Sequence, residues 1–200
     1  SKTFKMKLIF ISGPTGSGKS TLANQIILKI KNGIVLRTDN YYKTGIRSKF
    51  ISKFVEGYFD RSISFNDKLF KNDFDFILKN GISFHERSYD FEKKKTKNYL
   101  KERSNINYLI VEGVFAKEFA NTLCEQNYFL LELKISKNDC MKRVIQRDIK
   151  ERGKSKKKAS NDFVKSWNIY YEKFEQKNIK KNIDEFTITK KTNIENILKK

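Results

Sequence analysis

Chemistry is concentrated early in the chain, at Gly13, Pro14, Thr15, Gly16, Ser17, Gly18, Lys19 and Ser20. These residues fit the spacing G-x-x-x-x-G-K-[ST] at every fixed position, between an apolar run and a helix-period segment. The residue types explain the pattern. Glycines reach the dihedrals that turn successive backbone N–H groups towards one point. The following helix adds the positive end of its dipole to that anion site. Lys19 reaches the β and γ phosphates of a bound nucleotide, and the Ser20 hydroxyl is available to Mg²⁺. Thr21 continues the hydroxyl-bearing start of the helix.

Two carboxylates stand where they can serve this loop. Asp39 follows the run Ile34-Val35-Leu36, and Glu112 ends the run 108–111. In a doubly wound sheet both strand ends open onto the ligand crevice. There a carboxylate holds Mg²⁺, directly or through water, or accepts a proton from an attacking hydroxyl. A third group is basic. Arg143 and Arg147 lie four apart, on one helical face, and Arg152-Gly153-Lys154 opens a charged segment. Beside a phosphate loop such a mobile segment is expected to close over the transferring phosphoryl group and neutralise its oxygens.

The elements that must position these groups are legible from periodicity. Residues 7–12 read as a buried strand and residues 13–18 as a tight loop. Residues 19–31 form a helix with Leu22, Ile26, Ile27 and Ile30 on one face, capped by Asn32-Gly33. A second strand covers residues 34–36. Asn66 caps a helix that carries Leu69, Phe70, Phe74, Ile77 and Leu78 and stops at Asn80-Gly81. Residues 82–84 read as a short strand, and residues 108–111 and 128–135 as buried strands. Helices follow over about 137–150 and 161–177, separated by a flexible break at 152–158. A last strand covers 185–188, and Thr192 caps a closing helix. Strands alternating with helices predict an α/β fold with a parallel sheet covered on both faces.

Composition narrows the classes. The chain has 200 residues, 43 Lys or Arg, 23 Asp or Glu and a net charge of +20. That length predicts one domain, residues 1–200, with a core large enough to need no staples. The 14% aromatic fraction supplies burial that the 38% hydrophobic fraction alone would not suggest. Two Cys are too few for a disulfide framework, and one His argues against a Ser-His-Asp triad or a His-rich metal centre. No apolar run has the length of a membrane span. The stretch 7–11 is shorter than a signal-peptide core, so a cytoplasmic protein is expected. Lys far outnumbers Arg, and Asn and Ile are common, a bias of AT-rich coding that assigns most of the charge to solvated surface. The charge would favour a nucleotide-dependent nucleic-acid-binding protein, but no stacking platform or base-reading motif accompanies it.

Taken in order, these residues resemble the uridine/cytidine kinases, within the phosphoribulokinase/uridine kinase-like group of P-loop kinases. The likeness runs over residues 7–188. It rests on the loop 13–21, on Asp39-Asn40-Tyr41-Tyr42, Phe59-Asp60, Tyr89-Asp90-Phe91 and Glu112-Gly113, and on the run from Arg147 to Lys154. The resemblance implies a three-layer P-loop NTPase fold with a small lid at about 143–158. It implies transfer of the ATP γ-phosphoryl group, with Mg²⁺, to the 5′-hydroxyl of uridine or cytidine in pyrimidine salvage. Asp39 would be the general base, with Lys19 and Arg147 completing the catalytic set. The loop and Arg152 would bind the nucleotide, and Ser20, Asp39 and Glu112 would lie on the metal side. Asp60 would hold the ribose, and Tyr42, Tyr89, Phe91, Arg143 and Arg147 would complete the acceptor site. The partners implied are ATP and a small-molecule acceptor, and the resemblance also implies a homo-oligomer.

The chain departs from the family pattern mainly in the base-reading parts. Lys94 stands where the family has a His three residues after Tyr-Asp-Phe, and His85 lies before that motif. Arg61-Ser62 replaces His-Pro after Phe-Asp, Val144 replaces an Arg, and the Pro ahead of Tyr-Asp-Phe and the Gln-Tyr after the lid are missing. These departures leave another acceptor open: a different nucleoside, pantothenate or a sugar phosphate.

Overall fold

The computed structural model describes residues 6–45, 51, 53–55, 58–90, 93, 95–175 and 184–189. Its main sheet contains β1 (Lys7–Ser12), β2 (Gly33–Arg37), β5 (Tyr108–Glu112), β6 (Phe129–Leu133) and β7 (Asp184–Ile188). The strand order is β2-β5-β1-β6-β7, and every pairing is parallel. A separate antiparallel hairpin is formed by β3 (Ser83–Asp90) and β4 (Lys95–Glu102). The helices are α1 (Lys19–Lys29), α2 (Asp67–Asn80), α3 (Ala116–Leu123), α4 (Lys137–Arg152) and α5 (Lys156–Tyr170). The expected α/β fold with a parallel sheet is what forms. Among the described residues no helix is long and apolar enough to cross a membrane.

The period-two alternation of β1 divides the core. Leu8 and Phe10 enter an aromatic layer on one face of the sheet. Ile9 and Ile11 enter an aliphatic layer with Leu22, Ala23 and Ile26 of α1 on the other. Phe10 is fully buried, with ring centroids 4.9 Å from Tyr128, 6.1 Å from Phe74 and 6.2 Å from Phe119. Most of the buried aromatic side chains thus lie on one face, where α2 and α3 pack.

Three local expectations are corrected, and two elements, β4 and α3, carry no signal in the sequence. The short strand expected at 82–84 extends to Asp90 and pairs with β4, from Ser83 opposite Glu102 to Asp90 opposite Lys95. β4 reads Lys-Thr-Lys-Asn-Tyr-Leu-Lys-Glu and is largely exposed. It has no apolar alternation to announce it, and backbone pairing makes the strand. α3 also lacks a sequence signal, because no side chain caps its start and it spans only 8 residues. The flexible break expected at 152–158 is a short turn. Gly153 ends α4 in the left-handed region, the Ser155 hydroxyl accepts from the Lys158 amide, and α5 begins at Lys156. Finally, α1 stops at Lys29, two residues early, as Ile30 turns extended. The expected helix capped by Thr192 lies outside the described residues.

Phe10 is fully buried among three aromatic rings, so Phe10→Ala is expected to cost about 3–5 kcal/mol of stability. Urea unfolding checks this, with a lower midpoint and an unchanged slope.

Candidate active site

The carboxyl ends of β1, β5 and β2 lie side by side, with Ile11 opposite Glu112 and Glu112 opposite Arg37. The phosphate loop leaves β1 at this edge. Ser17 N–H bonds to Pro14 O at 3.2 Å, and Leu22 N–H to Gly18 O at 2.9 Å, which closes the loop and starts α1. Gly16 is required for packing as well as conformation. Its φ is +76°, and a Cβ there would lie 2.6 Å from Cys140 O and 2.7 Å from Val144 Cγ2. The loop therefore rests directly on α4. Arg143 fastens the same contact, donating from Nη1 to the carbonyls of Gly16 at 3.2 Å and Ser17 at 3.3 Å. Lys19 bends over the loop and donates to Pro14 O at 2.9 Å. Burial pulls its ammonium below the usual lysine range, while the nearby Glu112 and Asp39 charges oppose that shift.

Glu112 is buried at the end of β5. It accepts a hydrogen bond from Ser20 Oγ at 2.9 Å and faces Arg37 Nε at 3.3 Å. Burial raises its carboxyl above the ordinary range and Asp39 adds to the rise, against Lys19, Ser20 and Arg37. The next residue, Gly113, has φ +142°, and a Cβ there would sit 1.8 Å from Thr38 Oγ1. That close approach brings the turn after β2 against the end of β5. Asp39 sits on this turn, exposed to the cleft. A serine hydroxyl with one or two carboxylates is the hard-oxygen donor set that Mg²⁺ takes, its remaining positions going to phosphate and water. Among the described residues no group of three or more His, Cys, Asp or Glu forms a closed metal cage. Ser20 and Glu112, in contact with each other, and the nearby Asp39 fit the Mg²⁺ donor set.

The cleft has a volume of about 920 Å³ and extends from the loop past Asp39 to Tyr42, Tyr58, Phe59 and Asp60. Tyr42 is buried edge-on to Phe59 at 5.1 Å and to Tyr89 at 5.3 Å. Its hydroxyl is held well above the usual tyrosine range, first by burial, then by the Asp39 and Asp60 charges and a hydrogen bond to Asp39. Asp60 accepts from Ser166 Oγ of α5 at 2.7 Å. Burial raises the Asp60 carboxyl, and the Ser166 bond works against that rise. Tyr89 does not line the cleft but stands behind Tyr42 and Phe59, its centroid 6.3 Å from the latter. Phe91 and Lys94 lie outside the described residues. His85 is on the hairpin, its Nδ1 3.1 Å from Asn98 Oδ1 and its ring against Phe76.

Sequence reasoning missed the organiser of the basic segment. Asp148 is buried on α4. Its Oδ1 accepts from Arg147 Nε and Nη2 at 3.0 and 2.8 Å and lies 3.3 Å from Arg152 Nη1. Its Oδ2 accepts from Lys154 Nζ at 2.9 Å, and Lys154 bridges on to Asp162 at 2.8 Å. Burial alone would raise the Asp148 carboxyl, but the bonds from Lys154 and Arg147 and the Arg152 charge bring it below the ordinary range. Arg147, Arg152 and Lys154 all line the cleft, as do Asp162 and Lys165, which the sequence did not single out. The one available signal was Asp148 itself, an acid set among cations at i−1, i+4 and i+6.

A parallel sheet of this order, with a phosphate loop after its central strand, Glu112 on the adjacent end of β5 and Asp39 on the turn after β2, defines a P-loop kinase. Residues 8–184 match the family described as phosphoribulokinase/uridine kinase. The chain belongs to that family. It is 29% identical over 172 residues to a uridine kinase of Borrelia hermsii, covering 84% of this chain and 80% of that one. It is 31% identical over 160 residues to a uridine kinase of Staphylococcus haemolyticus, covering 78% and 75%. In fold it is similar to D-glycerate 3-kinase of Cryptococcus neoformans, with a TM-score of 0.64 and 12% identity over 92% of this chain and 86% of that one.

The Asp148 cluster makes an acid-limb prediction. A carboxyl held below its unfolded value contributes stability above that value, and the contribution is lost as pH falls through the folded pKa. Asp148→Asn is expected to cost about 1–3 kcal/mol at pH 7. The variant should also lose less stability than the native protein as pH falls below about 4. Urea unfolding across that pH range checks both outcomes.

Proposed function

We propose that the protein transfers the γ-phosphoryl group of ATP to the 5′-hydroxyl of uridine or cytidine, as a cytoplasmic enzyme of pyrimidine salvage. The observation that carries this reading is a single cleft holding the phosphate loop at one end and Asp39, Tyr42 and Asp60 at the other. The uridine kinases among the chain's relatives supply the acceptor.

In this reading Lys19 and the loop amides hold the phosphates, with Arg143 bracing the loop from outside. Asp60 accepts hydrogen bonds from the ribose hydroxyls, and Tyr42 and Phe59 bound the space for the base, with Tyr89 backing them. Asp39, oriented by the Tyr42 hydroxyl, accepts the proton of the 5′-hydroxyl. The acceptor oxygen then bonds to the γ-phosphorus as the bond from the β-γ bridging oxygen to the γ-phosphorus breaks, and ADP leaves. Arg147, Arg152 and Lys154, on a lid at about 143–158, neutralise the equatorial oxygens. Mg²⁺, held by Ser20 and Glu112 with Asp39 nearby, would supply charge neutralisation at the β and γ oxygens.

A second reading keeps the chemistry and changes the acceptor to another nucleoside, pantothenate or a sugar phosphate. It is favoured by His85, which bonds Asn98 on the hairpin and does not line the cleft. A coupled ADP-release assay over a panel of these acceptors separates the two. Turnover with uridine or cytidine is expected, and silence with both favours the second reading. Asp39→Ala is expected to keep ATP binding and lose about 10²–10⁴-fold in kcat. Near-native turnover in that variant removes Asp39 from the role of base.

A further inference from the structure

Asp39 and Tyr42 face the cleft, and the two residues between them face away from it. Asn40 Oδ1 accepts the amide of Tyr89 on β3 at 3.3 Å. Tyr41 is buried edge-on to Phe70 of α2, centroids 4.7 Å apart, and its hydroxyl donates to Asp73 Oδ2 at 2.9 Å. Asp73 is a buried carboxylate of α2. Arg87 of β3 grips the same carboxylate in a two-pronged pair, Nη2 to Oδ1 at 3.0 Å and Nε to Oδ2. The guanidinium carbon also lies 5.7 Å from the Tyr41 ring centroid. Three elements thus converge on one carboxylate: the turn after β2, helix α2 and the hairpin.

As a source of stability this is a poor choice, because well-packed apolar residues of like volume generally do as well as a buried ion pair. What apolar residues do not supply is direction. The planar pair and the Tyr41 hydroxyl fix the hairpin and the acceptor turn to α2 in one orientation. Burial and the Asp73 charge keep the Tyr41 hydroxyl protonated, so it remains a donor. Neither Asp73, Arg87 nor Tyr41 lines the cleft.

We infer that Asp73 is a positioning residue which, through Tyr41 and Arg87, sets the acceptor turn carrying Asp39 and Tyr42 against the hairpin. The inference rests on the proposed reading that this turn meets the acceptor. Displacing a reacting group by about 1 Å costs on the order of 100-fold in rate. Tyr41→Phe, which removes one hydroxyl, is expected to lower kcat/KM for the acceptor by about 10–100-fold while the KM for ATP stays within about twofold.

The double variant Asp73→Leu/Arg87→Met separates direction from stability. It is expected to regain the native urea midpoint and to keep the acceptor defect. Native acceptor kinetics in a stable double variant, or in Tyr41→Phe, overturns the inference. Should the double variant not fold, Tyr41→Phe decides alone. Amide hydrogen exchange supplies a readout independent of the acceptor. In Tyr41→Phe, exchange at residues 39–42 is expected to rise and exchange at 13–20 to stay unchanged. If the wild type phosphorylates nothing in the panel, the functional reading fails, and exchange still decides the positioning. Unchanged exchange at 39–42 overturns it.

Discussion

Parallel register at the middle of the sheet is the constraint on which the rest depends. β1 is flanked by β5 and β6 and buried on both faces, so its carboxyl end is held rigidly from both sides. A phosphate loop needs that rigidity, because backbone amides make an anion site only when their directions are fixed. The same register brings Glu112 next to the loop and the turn after β2 next to Glu112. Gly113 lets the last of these contacts form, since any side chain there would occupy the space of Thr38. Remote from the chemistry, the aromatic layer around Phe10 supplies the burial that makes this arrangement stable.

Charge is arranged around the cleft by acids more than by cations. A net charge of +20 would otherwise place many repelling groups near one site. Asp148 gathers Arg147, Arg152 and Lys154, and Asp162 takes a second share of Lys154. Glu112 takes Arg37. Each acid is buried or half-buried and each cation partly exposed, so the cations keep access to a ligand while their geometry is set from beneath. Away from the cleft Lys117 pairs with Glu132 in the interior, and most of the other described Lys residues are exposed.

The legible parts of the molecule are those written locally. The loop 13–20, the buried strands, the helix start at Asn66 and the helix over about 137–150 each depend on neighbours within a few residues. Asp39 and Glu112 were legible for the same reason, as acids ending apolar runs. β4 was not, because a polar, exposed strand owes its existence to the partner opposite it. Nor was the turn at 153–155, where a run of Lys reads as disorder until α5 packs Phe163 against Val144 and Cys140.

The sequence by itself determined the phosphate loop and the buried strands and capped helices around it, because dihedral freedom, capping and hydrophobic period act along the chain. Tertiary structure decided which groups meet. Ser166 reaches Asp60 across 106 positions, Ser20 reaches Glu112 across 92, and Tyr41 reaches Asp73 across 32. A polar side chain carries no mark of a partner that far away. Only folding, which removes water from both groups and makes an unpaired buried polar atom costly, selects the pairs.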